Sequence, residues 1–463
     1  MNIRVSAETA PNETIPVLRP QLPSADRLLP YLRQIDSTRF YSNYGQLVRQ
    51  LERRLAEHLK LAPGTVASAG SGTAALIGGI LAGAGRARPE RNLAILPAYT
   101  FVATAVAAEQ CGYQSYLADI DPDTWILDAR RLIDHPQRDR IGLVIPVAPF
   151  GRAVPQAPWN AFTKETGIPV VIDGAASFEG IGDHPAQHLG VTPVALSFHA
   201  TKSFATAEGG ALISTDMVLC ERAGLALNFG FGGTRDSVVA SINGKMSEYH
   251  AAIGLAELDG WAAKRAAFRK AAKMYQTLAT AAGLRGRLVT APDVAGCYVL
   301  FRCSTSDEAR GVGDSLEHSG VDYRLWYGLG MHQQTYFRGL PRDDLAATNH
   351  IAPLVLGLPV ATDLTEEAVT RVITALARVA GAKSKPEPGN RYRARRGRRL
   401  ETGDPQGTAA QFAPQRQSSA AAKPVRGQPQ DAGAAHRARL GRARHGTSFS
   451  GKPGGATFPG APR

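Results

Sequence analysis

The chain is poor in cysteine, in long apolar runs and, over most of its length, in net charge. Its four cysteines, Cys111, Cys220, Cys297 and Cys303, form no CxxC pair, which removes the usual grounds for a structural zinc site or a disulfide framework. No metal ligand set is expected. No stretch of about eighteen apolar residues occurs, so no membrane-spanning helix is expected. Met1 to Pro20 lacks the apolar centre of a secretory leader, being interrupted by Asn2, Glu8, Asn12 and Glu13. A soluble cytoplasmic protein is the expectation. Aromatic residues make up only 7%, yet the hydrophobic fraction of 44% over 463 residues supports a sizeable core and excludes a wholly disordered chain.

Charge is unevenly placed. Of 53 basic and 40 acidic side chains, 17 basic and 4 acidic ones fall from Lys383 to Arg463, leaving 36 of each in residues 1 to 382. The excess of +13 belongs to the end of the chain. That segment is dominated by Arg, Ala, Gly, Pro and Gln with no helical or strand period, and is expected to be disordered. Arg391, Arg393, Arg395, Arg396, Arg398 and Arg399 could make it an arm for RNA, DNA or anionic lipid. A solvated extension, or an out-of-frame end, explains the same composition. Nucleic-acid binding is therefore not expected of the body.

The body alternates strand-like and helical segments. Gln46 to Leu61 places Leu47, Leu51, Leu55 and Leu59 on one face. Short apolar runs follow at Leu93–Leu96, Gln114–Leu117, Leu143–Val147, Val170–Ile172, Val194–Phe198 and Ala211–Ile213. Helical stretches such as Phe101–Cys111 and Trp159–Thr166 lie between several of them, which argues for an α/β architecture on a mainly parallel sheet. Met246 to about Ala282 reads as one long helix, with Gly254 and Gly260 as its weak points. A second αβ segment contains Cys297–Cys303 as a strand. It ends in a helix begun by Thr365, Glu366 and Glu367 and striped by Val369, Val372, Ile373, Leu376 and Val379. The expected organisation is a large domain over residues 1–260 with an N-terminal arm, a connecting helix and small αβ domain over 261–382, and the tail over 383–463.

Three elements carry chemistry. Ala67-Ser68-Ala69-Gly70-Ser71-Gly72-Thr73 leads into an Ala-rich helix, whose free N–H groups and hydroxyls suit a phosphate, although an ordinary capped helix looks the same. Asp173 ends an apolar strand, where open α/β sheets place ligands; a surface turn is the plain alternative. Lys202 follows the strand-like Ser197-Phe198 and could act as a nucleophile, though most lysines are simply solvated. Taken together and in this order, cradle, carboxylate and lysine suit pyridoxal phosphate. The lysine would form a Schiff base, the carboxylate would pair with the pyridinium nitrogen, and the released lysine would shuttle a proton.

Further motifs extend the pattern: Tyr41-Ser42-Asn43-Tyr44-Gly45, Pro97-Ala98-Tyr99-Thr100-Phe101-Val102-Ala103-Thr104-Ala105 and Asp119-Ile120-Asp121. Glu208-Gly209-Gly210, Asn243-Gly244-Lys245-Met246-Ser247-Glu248 and Leu358-Pro359 follow. From about Leu22 to Val379 the chain resembles the sugar aminotransferases of the DegT–DnrJ–StrS family, whose fold is that of the aspartate aminotransferase superfamily, fold type I. The resemblance implies that Lys202 is the Schiff-base lysine and Asp173 the pyridinium partner. It further implies that Gly72, Thr73 and Ser197 hold the phosphate and that Phe101 stacks on the ring; a core phenylalanine is the alternative for Phe101. Asn243 would reach the cofactor of a neighbouring subunit, making the site shared across a homodimer. Lys245, Arg324 and His332 are the substrate-side candidates, with Trp326 and Tyr327 in the same loop.

The resemblance also implies a nucleotide-linked keto-sugar as acceptor and an amino acid, usually glutamate, as donor. Members acting at C4 of 4-keto-6-deoxy sugars look nearest, with a 3-keto-sugar or a keto-cyclitol as rivals. A non-catalytic sensor or nucleic-acid-associated protein on the same fold is the rival outside enzymes. The family's dehydratases replace the lysine by histidine, so Lys202 favours transamination; His199 is three residues too early to be that histidine. Departures from the family are Ala176 for the usual Gln or His, Ala207 for Gly, and Gln46 for Pro.

Overall fold

Strand pairing, more than helix propensity, sets the architecture. The computed structural model describes residues 14–381; the first thirteen residues and the basic segment, including the expected disordered tail, lie outside the described residues. The strands are β1 (Val66–Ala69), β2 (Leu93–Pro97), β3 (Gln114–Ala118), β4 (Ile141–Val144), β5 (Ile172–Asp173), β6 (Val194–Ser197), β7 (Gly210–Ile213), β8 (Leu288–Val289), β9 (Val299–Arg302) and β10 (Val355–Leu358). Parallel bridges Val144–Val170 and Val147–Asp173 join β4 to the β5 segment. The first seven strands thus run in the order β3-β2-β4-β5-β6-β7-β1. Only β7 is antiparallel to its neighbours. Helices connect the parallel strands, as crossovers require. The remaining strands form a small antiparallel sheet, β10-β9-β8.

The strand β1 is not among the sequence expectations, in which Ala67-Ser68-Ala69 only introduces a helix. Its register against β7, from Val66–Ile213 to Ala69–Gly210, buries every residue of it. Small side chains suffice there because the neighbouring backbones come close. A Cβ on Gly210 would lie 2.6 Å from the carbonyl oxygens of both Leu196 and Ser71.

Leu47, Leu51, Leu55 and Leu59 are all buried, each contributing roughly 1.5–3 kcal/mol if fully withdrawn from water. They pack in one core with Phe178, Phe198, Phe204 and Trp261. A second core surrounds β8–β10 and takes in Tyr275, Val372, Ile373 and Leu376. The Glu248–Ala281 helix spans both cores without a break. Gly254 is a close-packing point rather than a weak one, since a Cβ there would press on Leu51 at 2.9 Å and Thr206 at 3.0 Å, whereas one on Gly260 would meet only the guanidinium end of the exposed Arg27. At the last helix, Glu366–Ala380, the Thr365 hydroxyl accepts the Ala368 N–H, as the cap signal implies.

Two motifs far apart in sequence meet through a carboxylate. Glu248 accepts the N–H groups of Leu47 at 2.8 Å and Val48 at 3.2 Å, capping the Gln46–His58 helix from another part of the chain. Its own N–H donates to Tyr41 O. The chain before that helix crosses to the C-terminal part, with bridges Ile15–Val321 and Leu18–Val360 and the exposed pair Arg19–Asp363.

Candidate active site

Since β1, β2, β5 and β6 point the same way, the residues just after them collect at one edge of the sheet. After β1, Ser71 turns the chain into the Gly72–Gly83 helix, and its hydroxyl accepts the Ala74 N–H at 3.0 Å. The N–H groups of Gly72 and Thr73 are then first-turn donors with no helical acceptor. A Cβ on Gly72 would fall 2.6 Å from Ser197 Cβ and 3.0 Å from its Oγ. Only a glycine lets this helix end sit against the end of β6. Gly72 and Ser197, 125 residues apart in sequence, therefore share one cradle.

At the end of β5, Asp173 is 8% exposed. One carboxylate oxygen accepts the Thr104 hydroxyl at 2.7 Å, the other the Ala175 N–H at 3.1 Å. Burial pushes its pKa up, against the pull of these two hydrogen bonds and of the Lys202 charge. Such a carboxylate is short of a cationic partner.

Lys202 sits in the loop between β6 and β7. That loop is closed by Phe198 N–H to Gly209 O at 2.8 Å, Ala200 N–H to Ala207 O at 2.9 Å and Lys202 N–H to His199 O at 2.9 Å. The His199 ring works inside this turn: Nδ1 accepts the Thr201 N–H at 3.3 Å and lies 2.8 Å from Thr201 Oγ1, while Nε2 faces Glu208 at 3.7 Å. Ala207 holds φ +68°, so the alanine found where the family has glycine stands in a left-handed conformation costing roughly 1–2 kcal/mol. The ammonium of Lys202 donates to Tyr298 Oη at 3.1 Å.

Phe101 is 60% exposed, which removes the reading of it as a core residue. It stands one turn before Thr104, the hydrogen-bond partner of Asp173. Asn243 and Lys245 are in contact, Lys245 Nζ donating to Asn243 Oδ1 at 2.6 Å and lying 4.2 Å from the Phe229 ring centroid. Burial lowers the Lys245 pKa. Gly244 O accepts the Gly70 N–H at 2.7 Å, so this segment borders the cradle. Arg324 lies over Trp326 at 5.3 Å, and Trp326 meets Tyr298 edge-on at 5.1 Å. Tyr327 stacks on Phe150 at 4.7 Å. His332 is placed differently: it is 6% exposed, its Nε2 pairs with Asn349 at 2.8 Å, and its Nδ1 is buried with no partner among the described residues. Ala176 is buried among Tyr99, Phe150 and Ala295.

Two contributors escape sequence reading. Thr104 has a local signal, since it follows Phe101 by one helical turn within the Pro97–Ala105 motif. Tyr298 has none: the sequence shows only a strand around it, and its partner lies 96 residues away.

Residues 24–377 match the model of the DegT/DnrJ/EryC1/StrS aminotransferase family. The chain belongs to that family. It is 35% identical over 378 residues to protein Rv3402c of Mycobacterium tuberculosis, covering 78% of this chain and 89% of that one. It is 27% identical over 374 residues to the dTDP-4-amino-4,6-dideoxy-D-glucose transaminase of Escherichia coli, covering 78% and 97%. Among solved structures, DesI, crystallised in the presence of its TDP-sugar product, superposes with a TM-score of 0.69 at 28% identity over 81% of this chain and 95% of that one. Family membership and the fold type I architecture make the protein an aminotransferase with pyridoxal phosphate as cofactor.

The residues present fit that group. The Gly72–Ser197 contact leaves a helix end where a side chain would otherwise stand. The buried Asp173, raised in pKa and short of a cation, has the chemistry to hold a protonated ring nitrogen. The exposed face of Phe101 is available to a flat ring.

Proposed function

We propose that this aminotransferase moves an amino group from an amino acid, glutamate in the first instance, to a nucleotide-linked keto-sugar, at C4 of a 4-keto-6-deoxy sugar. The convergence of Gly72, Asp173, Ser197 and Lys202 at one sheet edge carries the reading. In this reading the Gly72 and Thr73 N–H groups and the Ser197 hydroxyl bind the phosphate, Asp173 pairs with the ring nitrogen, and Phe101 covers the ring. Bound pyridoxal phosphate supplies an electron sink for the carbanion left when an amino acid loses its α-proton. Lys202 Nζ holds the cofactor at rest and moves the proton during transfer.

The sugar assignment draws its support from the E. coli relative, named for a dTDP-4-amino sugar, and from DesI with its TDP-sugar product. Lys245 and Arg324 are the cationic candidates for the nucleotide's phosphates. His332, buried and with Nε2 held by Asn349, is the least accessible of the substrate-side candidates. Asn243, whose side chain is exposed, would reach the cofactor of a second subunit. The exposed Phe40, Tyr41, Phe229 and Tyr249 give such a homodimer apolar surface to cover.

The test is optical. The purified protein loaded with pyridoxal phosphate should be yellow and bleach on addition of glutamate. A dTDP-4-keto-6-deoxy sugar should then restore the colour. A yellow protein that bleaches but ignores the keto-sugar, while accepting a keto-cyclitol, would replace the acceptor; failure to bind the cofactor would sink the reading.

A further inference from the structure

Tyr298 reaches Lys202 from the other sheet of the molecule, at the entry to β9, and several contacts fix its place. Gly296 N–H donates to the buried Glu179 carboxylate at 2.7 Å. A side chain on Gly296 would meet Glu179 at 2.7 Å and Phe268 Cβ at 2.8 Å, so any larger residue must shift this turn. Ala295 N–H donates to Phe150 O at 2.8 Å, and Tyr298 N–H to Ala295 O at 2.9 Å. The ring is then held edge-on between Phe150, at 5.5 Å, and Trp326, at 5.1 Å. Among the described residues, its hydroxyl has one hydrogen-bond partner, Lys202 Nζ.

We propose that Tyr298 is a positioning residue for the transamination, receiving Lys202 Nζ whenever the lysine is not bonded to the cofactor. A free lysine amine on four rotatable bonds explores many rotamers, and fixing it costs side-chain entropy. A hydrogen bond to a rigid, buried hydroxyl confines Nζ before it is needed, as pre-orientation of a reacting group requires. Burial raises the Tyr298 pKa well above its ordinary value, so the phenol stays neutral and its oxygen can accept from Nζ without forming an ion pair.

The proposal rests on Lys202 being the cofactor lysine, and its experiment separates the two ideas. Apo-protein is mixed with pyridoxal phosphate, and the growth of the yellow band is followed by stopped flow. Donor turnover is then measured in single-turnover mode against glutamate concentration. Tyr298→Phe should bind the cofactor to the same stoichiometry, form the band about 10-fold more slowly, and show a donor step slowed about 10- to 100-fold with unchanged half-saturation.

Unchanged rates in Tyr298→Phe, with the fold confirmed by circular dichroism, would overturn the proposal, as would a change confined to half-saturation. If Tyr298→Phe fails to fold, Gly296→Ala moves the same ring through its backbone and should reproduce the slow band. A normal band in that variant would also overturn the proposal. Lys202→Ala serves as the control: if a borohydride-fixed adduct still forms on it, the assignment of Lys202 fails, whatever Tyr298 does.

Discussion

The two sheets meet around Lys202 with opposite means. The edge of the parallel sheet presents backbone N–H groups, small residues and a buried carboxylate: Gly72, Thr73, Ser197 and Asp173. The antiparallel sheet and the loop beside it present bulk: Trp326 edge to face with Tyr298, Tyr298 edge to face with Phe150, and Tyr327 stacked on Phe150 and edge to face with Tyr99. Backbone donors and a fixed charge suit a group that never leaves, because they hold one phosphate and one ring nitrogen in one place. An aromatic wall suits something that enters, turns and departs, because it excludes water and offers shape. Damage to the first region should abolish chemistry, whereas damage to the second should alter rates and choice of substrate.

The largest effect is expected at Lys202. Lys202→Ala should lower transamination by at least about 10⁴-fold, since both the covalent attachment and the proton carrier go with it. Steady-state turnover, together with the loss of the yellow band, measures this.

Next comes Asp173→Asn, expected to lower turnover on the order of a thousandfold, as the ring nitrogen loses its charged partner. The same change should act oppositely on the empty protein. Burial raises the Asp173 pKa in the folded state; stability is therefore greater where the carboxyl is protonated and is lost as pH rises through the folded pKa. At neutral pH, Asp173→Asn apo-protein should melt above the wild type, and the gap should close as the pH is lowered. An apo-protein that melts lower at pH 7 would show that Thr104 and Ala175 more than offset the burial.

Gly72→Ala tests the cradle at smaller amplitude. Alanine is the better helix former by up to about 1 kcal/mol, but its Cβ would fall 2.6 Å from Ser197 Cβ and 3.0 Å from Ser197 Cα. The helix end must move, and cofactor affinity should drop about 10- to 100-fold in a fluorescence titration, with thermal stability of the apo-protein little changed. Equal cofactor affinity would mean the phosphate is held elsewhere.

The two regions also differed in how openly the sequence showed them. The parallel sheet announces itself in short apolar runs, and Lys202 and Asp173 each follow one, because a strand end fixes what comes next in space. The strand β1 is hidden because Ala67-Ser68-Ala69 has the small, polar-flanked look of a turn. Only its pairing with β7 makes a strand of it. Gly254 reads as a helix weakness because composition alone does not show the side chains of Leu51 and Thr206 pressed against it. Phe101 could be core or site by sequence, and exposure separates the two. Tyr298 is invisible for a different reason. Its position depends on Glu179, Phe150 and Trp326, drawn from three separate parts of the chain, and no local pattern records such a meeting.

Trp326 offers the finest test of the division of labour. Its indole carries Arg324 at 5.3 Å on one side and touches Tyr298 edge-on on the other. Trp326→Ala removes the platform of the arginine while leaving the Tyr298 hydroxyl and its bond to Lys202 chemically intact. If the wall faces the acceptor, half-saturation for the keto-sugar should rise about 10-fold, the scale of a few lost aromatic and cation contacts. The glutamate half-reaction, which asks nothing of that platform, should stay within about twofold of wild type on the same scale. Were the glutamate step to fall as far as the keto-sugar step, Trp326 would be acting through Tyr298 on Lys202. The aromatic wall would then belong to the reacting centre rather than to the substrate it admits.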